Sequence, residues 1–369
     1  MKDNLFRAQT IGSMLRPAYL RDARRALRRG EISNAAFKKI EDRAVDEALA
    51  IQESAGLDIV ADGEQRRMSF LGSLLDSTEG LERTQTVTRP WHSGAQVEDL
   101  TLGLVVTGKL DRRRSLAAEE FVYLRSRARK PVKVALPSPM MLNMFWSPDQ
   151  SRKAYRDPFE LFADGARIIK GEIDELAGLG CEYIQIDAPE LAALVDPTAT
   201  AALYERNGIA PARMLEEGVA MLNALAGKRP GVRFGLHLCR GNNDGRWLAQ
   251  GGYDSIARAL FQRATNYDEF LLEYDSPRAG GFEPLAEVPP DKAVVLGLVS
   301  SKLSELERES EIVARIENAA RFFPLERMAV STQCGFASGI RGNPVSPEVQ
   351  ERKLGLVGAI ARRVWGSAA

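Results

Sequence analysis

Short runs of aliphatic and β-branched residues recur along the chain, and most of them stop at small or polar residues. Runs of this length and composition are typical of buried strands. In chain order they are FRAQTIGS (6–13), LDIVADGE (57–64), VKVALPS (132–138), EYIQIDAP (182–189), RFGLHLC (233–239), EFLLEYD (269–275), AVVLGLV (293–299) and RMAVSTQCG (327–335). The pattern therefore predicts eight strands.

Most of the gaps between these runs carry the period of an amphipathic helix. Examples are AAFKKIEDRAVDEALAIQESAG (35–56) and FELFADGARIIKGEIDELAGLG (159–180), and the second closes on Gly178 and Gly180, as helices often do. Alternation of eight strands with crossover helices predicts an α/β fold, a single (β/α)8 TIM barrel, with a doubly wound open sheet as the alternative. In such a barrel the functional residues gather at the C-terminal ends of the strands.

The segment from Leu81 to Lys130 departs from this alternation. It contains LTLGLVVTGKL and ends in a basic stretch, which predicts a hairpin-containing insertion after the second strand, followed by a helix. The pattern leaves open whether this insertion covers the site or contacts a second copy of the chain. No linker or repeat interrupts the remainder, so we expect one catalytic domain over residues 1–369.

Composition narrows the classes of function. Fifty basic and fifty acidic residues cancel, so there is no overall field to attract nucleic acid or an anionic membrane, and small molecules are the expected partners. Three cysteines without a framework spacing favour a reducing compartment, and we expect the cytoplasm. The first residues lack the apolar stretch of a signal peptide, and no window approaches the roughly 20 apolar residues of a membrane span.

The strand ends carry residue types that bind metals. His237 and Cys239 stand two positions apart in one strand, so both side chains point to the same face, and Cys334 ends the eighth run. Imidazole and thiolate are zinc ligands, and Glu273 on the sixth run is a candidate fourth ligand that leaves when substrate arrives. The competing interpretation is that buried cysteines and a lone histidine belong to the core, and we assign Cys181 to the core.

Other strand-end groups are candidates for substrate contacts. Glu64 and Asp187 lie at strand ends, and an unpaired charge is costly in a buried core. We therefore expect both carboxylates to bind a substrate ammonium group. Arg16 and Arg240 are candidates for binding a substrate carboxylate or phosphate. Asp187 and Lys302 are the candidate catalytic residues, Lys302 because it follows the seventh run. His92, beside Trp91 in the insertion, is expected to be ordinary surface.

Two familiar kinds of chemistry find no motif in this sequence. There is no G-x-S-x-G elbow and no Walker-type glycine loop, and a chain with two histidines has few places for a histidine-based triad. Nucleophilic serine chemistry and nucleotide phosphate binding are therefore not expected.

At these residues the sequence resembles the cobalamin-independent methionine synthase family, specifically its short single-barrel bacterial members, which match the catalytic C-terminal half of the full-length enzyme. The resemblance runs over nearly the whole chain. The motifs that carry it are TIGSMLRP, ADGEQRR, IQIDAPEL, HLCRGN, FLLEYDSPRAGGFEPL, VVLGLVSSKLSELE and STQCGFASG.

The resemblance implies a barrel of the type shared with uroporphyrinogen decarboxylase (UROD) and a specific set of roles. In the family one zinc ion is held by residues that fall here on His237, Cys239, Glu273 and Cys334. The amino-acid substrate is held by residues that fall on Ser13, Glu64 and Asp187. The implied reaction is methylation of homocysteine as a zinc thiolate, giving methionine, with methyltetrahydrofolate as donor.

The sequence departs from the full-length pattern at the donor side. The family's histidine after the seventh strand is replaced by the stretch Val299 to Lys302, and its tryptophan after the third strand by Pro137 to Met140. The N-terminal half that helps to hold polyglutamylated folate is not in this sequence. Two alternatives therefore stay open: alkyl transfer to another thiol, as from an epoxyalkane to coenzyme M, and a barrel that binds zinc or thiols without turnover.

Overall fold

Alternating parallel strands and helices build the fold, as the computed structural model describes it for residues 5–94 and 96–366. The strands are β1 (Ala8–Gln9), β2 (Leu81–Arg83), β3 (Thr88–Ser93), β4 (Gln96–Thr101), β5 (Leu104–Val106), β6 (Val134–Pro137), β7 (Tyr183–Asp187), β8 (Arg233–Leu238), β9 (Glu269–Glu273), β10 (Ala293–Val299) and β11 (Met328–Thr332). Within the described ranges, β1 and β6 to β11 form one parallel sheet in the order β1-β11-β10-β9-β8-β7-β6.

The sheet curls until its two edge strands meet the segment around Val60. The amide of Asp58 donates to the carbonyl of Ala8 at 2.9 Å, which ties this segment to β1. On the other side Val60 forms a parallel bridge with Val132, next to β6. The second predicted strand is thus reduced to a bridge that completes the ring, and the (β/α)8 TIM barrel predicted from the sequence is confirmed.

Helices pack around this ring. They are α1 (Ala18–Arg28), α2 (Asn34–Ser54), α3 (Gly72–Leu75), α4 (Ala118–Arg127), α5 (Pro148–Ser151), α6 (Pro158–Gly178), α7 (Pro189–Ala192), α8 (Pro197–Leu203), α9 (Pro211–Arg213), α10 (Val219–Leu225), α11 (Ala257–Phe261), α12 (Glu309–Ala319) and α13 (Pro347–Trp365). A π-helical turn, Met214–Gly218, joins α9 to α10, and short 3₁₀ turns include Pro139–Phe145 after β6.

The long helices begin and end where their sequences provide caps. The side chain of Asp157 accepts hydrogen bonds from the first amides of α6, and Ser33 does the same for α2. Helix α6 ends at Gly178, and Gly180 adopts a φ of 87°, which a residue without a Cβ reaches most easily.

The predicted insertion after the second strand is a nested pair of antiparallel ladders followed by a helix. β2 pairs with β5, β3 pairs with β4 inside it, and α4 follows before β6. The hairpin predicted between Leu81 and Lys130 is therefore confirmed. In the described part of the chain, no helix is both long enough and apolar enough to cross a membrane.

Candidate functional site

The C-terminal ends of β1, β7, β8 and β11 open into one cavity of about 470 Å³. It is lined by Ser13, Asp187, His237, Cys239 and Cys334. Parallel strands of a barrel all end at the same face, so residues far apart in sequence meet there. The structure thus brings together these five sequence-predicted site residues.

The imidazole and the two thiols form a compact group. The donor atoms of His237, Cys239 and Cys334 lie within 4.8 Å of one another, and all three residues are buried. His237 and Cys239 share one side of the β8 chain end, as their two-residue spacing predicts, and Cys334 approaches from the end of β11. This spacing of donors is compatible with a shared metal ion.

The imidazole of His237 is held in one orientation. Its Nδ1 lies 3.0 Å from the carbonyl oxygen of Leu271. Because a carbonyl only accepts, Nδ1 carries a proton, and Nε2 is the ring nitrogen left to bind a metal when the imidazole is neutral. Nε2 is buried and has no hydrogen-bond partner among the described residues. A metal-ligating histidine typically donates its other ring N–H in this way.

The two thiols differ in their readiness to ionise. The neighbouring Cys239 thiol and the His237 imidazole hold the pKa of Cys334 well below its ordinary value. Contact with Cys334, together with burial, raises the pKa of Cys239 well above the ordinary value. One thiolate therefore forms readily in this pair, and a cation bound between them would favour the second.

The donor set fits zinc. An imidazole nitrogen without a hydrogen-bond partner among the described residues and two thiol sulfurs form a soft, mixed group of the kind that selects zinc over hard cations. With three protein donors, a tetrahedral ion would keep one position for another ligand.

Glu273 lies beside this group but is engaged elsewhere. Its Oε2 accepts from the amide of Arg240 at 2.8 Å, and its Oε1 accepts from Nη2 of Arg278 at 2.6 Å. Burial raises the pKa of its carboxyl, but Lys302, Arg278 and Arg240 outweigh burial and lower it to about 2. Among the described residues the close donor group contains the imidazole and the thiols without this carboxylate. Glu273 as a fourth ligand stays a prediction.

Ser13, Glu64 and Asp187 form the polar side of the cavity. The Ser13 hydroxyl donates to the Glu64 carboxylate, so Glu64 stands directly behind a cavity-lining residue. Glu64 has a φ of 53°, a left-handed backbone uncommon outside glycine and often retained at functional positions.

Asp187 accepts from Nε2 of Gln185 at 2.7 Å. Burial, followed by the repulsion of Glu64, raises the pKa of Asp187 to about 6. At neutral pH Asp187 is therefore mainly ionised and suited to a substrate cation, whereas Glu64 already lies 3.5 Å from Nη1 of Arg67.

The arginine expectations need correction. Nε, Nη1 and Nη2 of Arg16 donate to the carbonyls of Arg67, Ala337 and Glu64 at 2.9, 2.6 and 2.9 Å. The Arg240 guanidinium donates in the same way, to the carbonyls of Gly251, Glu273 and Ala279 and to the Tyr253 hydroxyl. Neither side chain is among the described residues that line the cavity. Both arginines fasten the loops around the site and are not placed to bind a substrate anion.

Lys302 adjoins the site from behind Glu273. Its Nζ lies 3.9 Å from Oε1 of Glu273 and makes no hydrogen bond to another described residue. It is buried and is not among the described residues that line the cavity. Its contact is with the carboxylate, and a catalytic role for Lys302 stays a prediction.

The insertion contributes a wall that the sequence did not assign. His92, expected to be ordinary surface, is 8% exposed, and that expectation is wrong. Its amide and carbonyl pair with the carbonyl and amide of Trp247 at 2.7 and 3.1 Å, and the two rings stack. Trp91 beside it lines the cavity. The Trp-His pair was the available signal, because such bulky side chains inside a short hairpin need a surface to cover them.

Most of the remaining cavity lining is apolar. Side chains from three segments contribute to it: the loop before α3, the insertion, and the 3₁₀ turn after β6. They include Met68, Phe70, Leu102, Leu104, Met141, Met144 and Phe145. The cavity therefore joins a polar, thiol-containing end to a broad apolar wall, a combination common in small-molecule sites.

Comparison with known proteins agrees with this geometry. The family model described as the catalytic domain of cobalamin-independent synthase matches residues 6–346. The uncharacterized protein YxjG of Bacillus subtilis (strain 168) is 34% identical over 98% of this chain and 95% of its own length.

Two further comparisons concern named synthases. The 5-methyltetrahydropteroyltriglutamate–homocysteine methyltransferase of Mycolicibacterium paratuberculosis is 26% identical over 88% of this chain, and the match spans 39% of that enzyme. The structure of a B12-independent methionine synthase from Shewanella sp. W3-18-1 shares the fold, with a TM-score of 0.75, 21% identity and 98% of each chain covered.

Proposed function

The chain belongs to the family of cobalamin-independent synthase catalytic domains, and from that premise we propose that it is a zinc-dependent S-methyltransferase that converts homocysteine to methionine. The observation that carries the proposal is the group formed by His237, Cys239 and Cys334 in the same cavity as Asp187. A thiol amino acid needs a group that binds its sulfur and a negative charge that binds its ammonium group, and this cavity contains candidates for both.

The acceptor end follows from the charges on the polar face. Asp187 accepts the substrate ammonium, and the Glu64 carboxylate, paired with Arg67, holds the Ser13 hydroxyl at the cavity wall. The buried trio leaves one side facing the cavity, where the substrate sulfur arrives. When bound there, zinc supplies a Lewis acid that lowers the pKa of the substrate thiol and makes it nucleophilic at neutral pH.

The methyl donor is proposed to be a methylated folate, as in the methyltransferase that matches over 39% of its length. The apolar wall around Trp91 and Phe145 suits a flat heterocycle. In the transfer, the new bond between carbon and the homocysteine sulfur forms as the bond between the methyl carbon and the folate nitrogen breaks. The thiol gives up its proton, and the departing nitrogen takes one up.

The charges of the site separate this proposal from its nearest alternative. A thiol that carries a sulfonate, such as coenzyme M, would bring its anion towards the cavity-lining carboxylate of Asp187, while Glu64 is already paired with Arg67 at 3.5 Å. Like charges in a buried site oppose binding, so Asp187 favours an acceptor with an ammonium group.

Zinc K-edge X-ray absorption tests the proposal. We expect stoichiometric zinc, with an additional sulfur in its shell when L-homocysteine is added and none when coenzyme M is added. Cys239→Ser and Cys334→Ser are expected to lose the metal. Cys181→Ser is the matched control, because Cys181 is equally buried but lies outside the donor group, and it is expected to keep the metal.

Two outcomes would contradict the proposal. Purified protein that binds no zinc would remove its basis. A zinc shell that does not change on adding homocysteine would move the function to another thiol or to a barrel without turnover.

A further inference from the structure

Both carboxylate oxygens of Glu273 are already occupied next to the His237, Cys239 and Cys334 group. Oε2 accepts from the amide of Arg240, and Oε1 accepts from Arg278. The first contact comes from the main chain, immediately after the Cys239 position, so it does not depend on the Arg240 side chain. The second comes from a side chain and is the one that can change.

Arg278 is itself held in place. Its Nη1 lies 3.5 Å from the carbonyl oxygen of Ala249, and its guanidinium carbon lies 5.0 Å above the ring of Trp247. Its own carbonyl accepts from the amide of Gly251 at 3.0 Å. These contacts fix the guanidinium, so its hydrogen bond to Glu273 costs little side-chain entropy.

A second cation reinforces the same oxygen. Nζ of Lys302 lies 3.9 Å from Oε1 of Glu273. The Glu273 side chain is fully buried, and little solvent screens either cation. Two cations therefore act on Oε1, Arg278 through a hydrogen bond and Lys302 through its charge.

We propose that Arg278 is a positioning residue that competes with the metal for the Glu273 carboxylate. It thereby keeps the fourth position beside His237, Cys239 and Cys334 available to the substrate thiol. This rests on the proposed function, because it assigns the control of that same site. A metal bound by three protein donors exchanges its remaining ligand more readily than one that must first release a carboxylate.

The inference predicts an unusual direction for a substitution. Removing Arg278 frees Oε1 to bind the metal, so Arg278→Ala should bind zinc more tightly, by roughly tenfold, the lower end of what contacts around a metal site commonly change. The same variant should take up homocysteine sulfur into the zinc shell less readily. Ordinary structural damage to the site would weaken zinc binding instead.

The experiment is a zinc competition titration against a chromophoric chelator on the full chain, repeated in a Glu273→Gln background. Tighter binding in Arg278→Ala, absent in the Glu273→Gln background, supports the competition.

Zinc K-edge absorption should show less added sulfur in the Arg278→Ala shell than in the wild-type shell at the same homocysteine concentration. Arg278→Gln keeps part of the aliphatic stem and an amide donor but is shorter and uncharged, and it serves if the alanine variant fails to fold. Arg258→Ala, at an exposed position in α11, is the matched control and should leave zinc affinity unchanged.

The outcomes separate this inference from the proposed function. Unchanged or weaker zinc binding in folded Arg278→Ala and Arg278→Gln overturns the inference, as does an equal change in both Glu273 backgrounds. A wild-type shell that ignores homocysteine, with tighter zinc binding in Arg278→Ala, overturns the proposed acceptor and leaves the competition standing. Wild-type protein without zinc overturns both.

Discussion

Three buried carboxylates near the barrel mouth show how differently one residue type behaves in three environments. Cations surround Glu273 and, against the effect of burial, lower its pKa to about 2. Burial raises the pKa of Asp187 to about 6, with Glu64 adding repulsion. Glu190, at the start of α7, is 3% exposed, and burial raises its pKa to about 8. At neutral pH the first two are mainly ionised, and the third mainly carries a proton.

The raised pKa of Glu190 makes the stability of the protein depend on pH. Between about pH 4.5, where an unfolded glutamate titrates, and about pH 8, the folded chain holds a proton that the unfolded chain has released. The free energy of unfolding therefore falls as pH rises through this window. Glu190→Gln lacks this loss, so its stability relative to wild type should rise by about 1.4 kcal/mol per pH unit and level off above pH 8.

Urea unfolding at pH 5, 6.5 and 8 measures this difference. Glu205→Gln removes an exposed carboxylate and is the control, with a small difference expected at each pH. A Glu190→Gln difference that does not change with pH would contradict the assignment of a proton to the buried side chain.

At the scale of elements, the insertion acts as part of the barrel mouth. Its β3 strand pairs with Trp247 in the loop that follows β8, and Arg246 in the same loop lies 3.0 Å from Glu98 in β4. Trp91 then faces the cavity. Trp247 therefore has two contacts: its backbone pairs with the insertion, and its ring packs against Arg278, which donates to Glu273.

The packing of α13 against the end of α2 gives a prediction with its control in the same helix. A Cβ at Gly358 would collide with the carbonyl oxygen of Ala55, whereas a Cβ at Gly355 meets no described atom within 4 Å. Gly358→Ala should therefore cost about 1–3 kcal/mol through overpacking. Gly355→Ala should add about 0.5–1 kcal/mol through helix propensity. Urea unfolding of both variants is the measurement, and equal shifts of the same sign would contradict the close helix contact.

At the scale of the whole molecule, the candidate metal centre lies at the mouth of a barrel whose core does not include it. Parallel strands with fully buried residues, such as β7, β9 and β10, pack beneath the surrounding helices through apolar contacts. A chain of this size can bury enough apolar surface to fold by itself. Metal binding should therefore add to stability and not create the fold.

Chelation tests this separation of folding from metal binding. Zinc at 100 times its dissociation constant should raise the free energy of unfolding by about 2.7 kcal/mol. A chelator should remove this increment while the far-ultraviolet circular dichroism stays unchanged. Cys334→Ser should melt at the same temperature with and without zinc. Loss of helical signal on chelation of the wild type would show that the ion is required for folding.

The predicted barrel follows from local patterns that each strand and helix carries alone. Eight apolar runs, their spacing and the glycine that ends α6 were sufficient to predict the barrel, and the two-residue spacing of His237 and Cys239 put both on one side of β8. The insertion was also visible, because its short alternating runs break the order of strand and helix. Sequence by itself thus determined the architecture and the donors at the strand ends.

Tertiary structure decided what those side chains meet. The sequence pattern around an arginine or a histidine is the same whether its side chain binds a ligand or the backbone. In the folded chain Arg16 and Arg240 donate to carbonyls, and His92 is buried against Trp247. It also brought Arg278 to Glu273 and Trp91 into the cavity. Hydrophobic periodicity reports which face of an element is buried, but a contact between elements depends on where two distant segments come to lie. For this reason the sequence predicted the architecture but did not predict the partners of its charged residues.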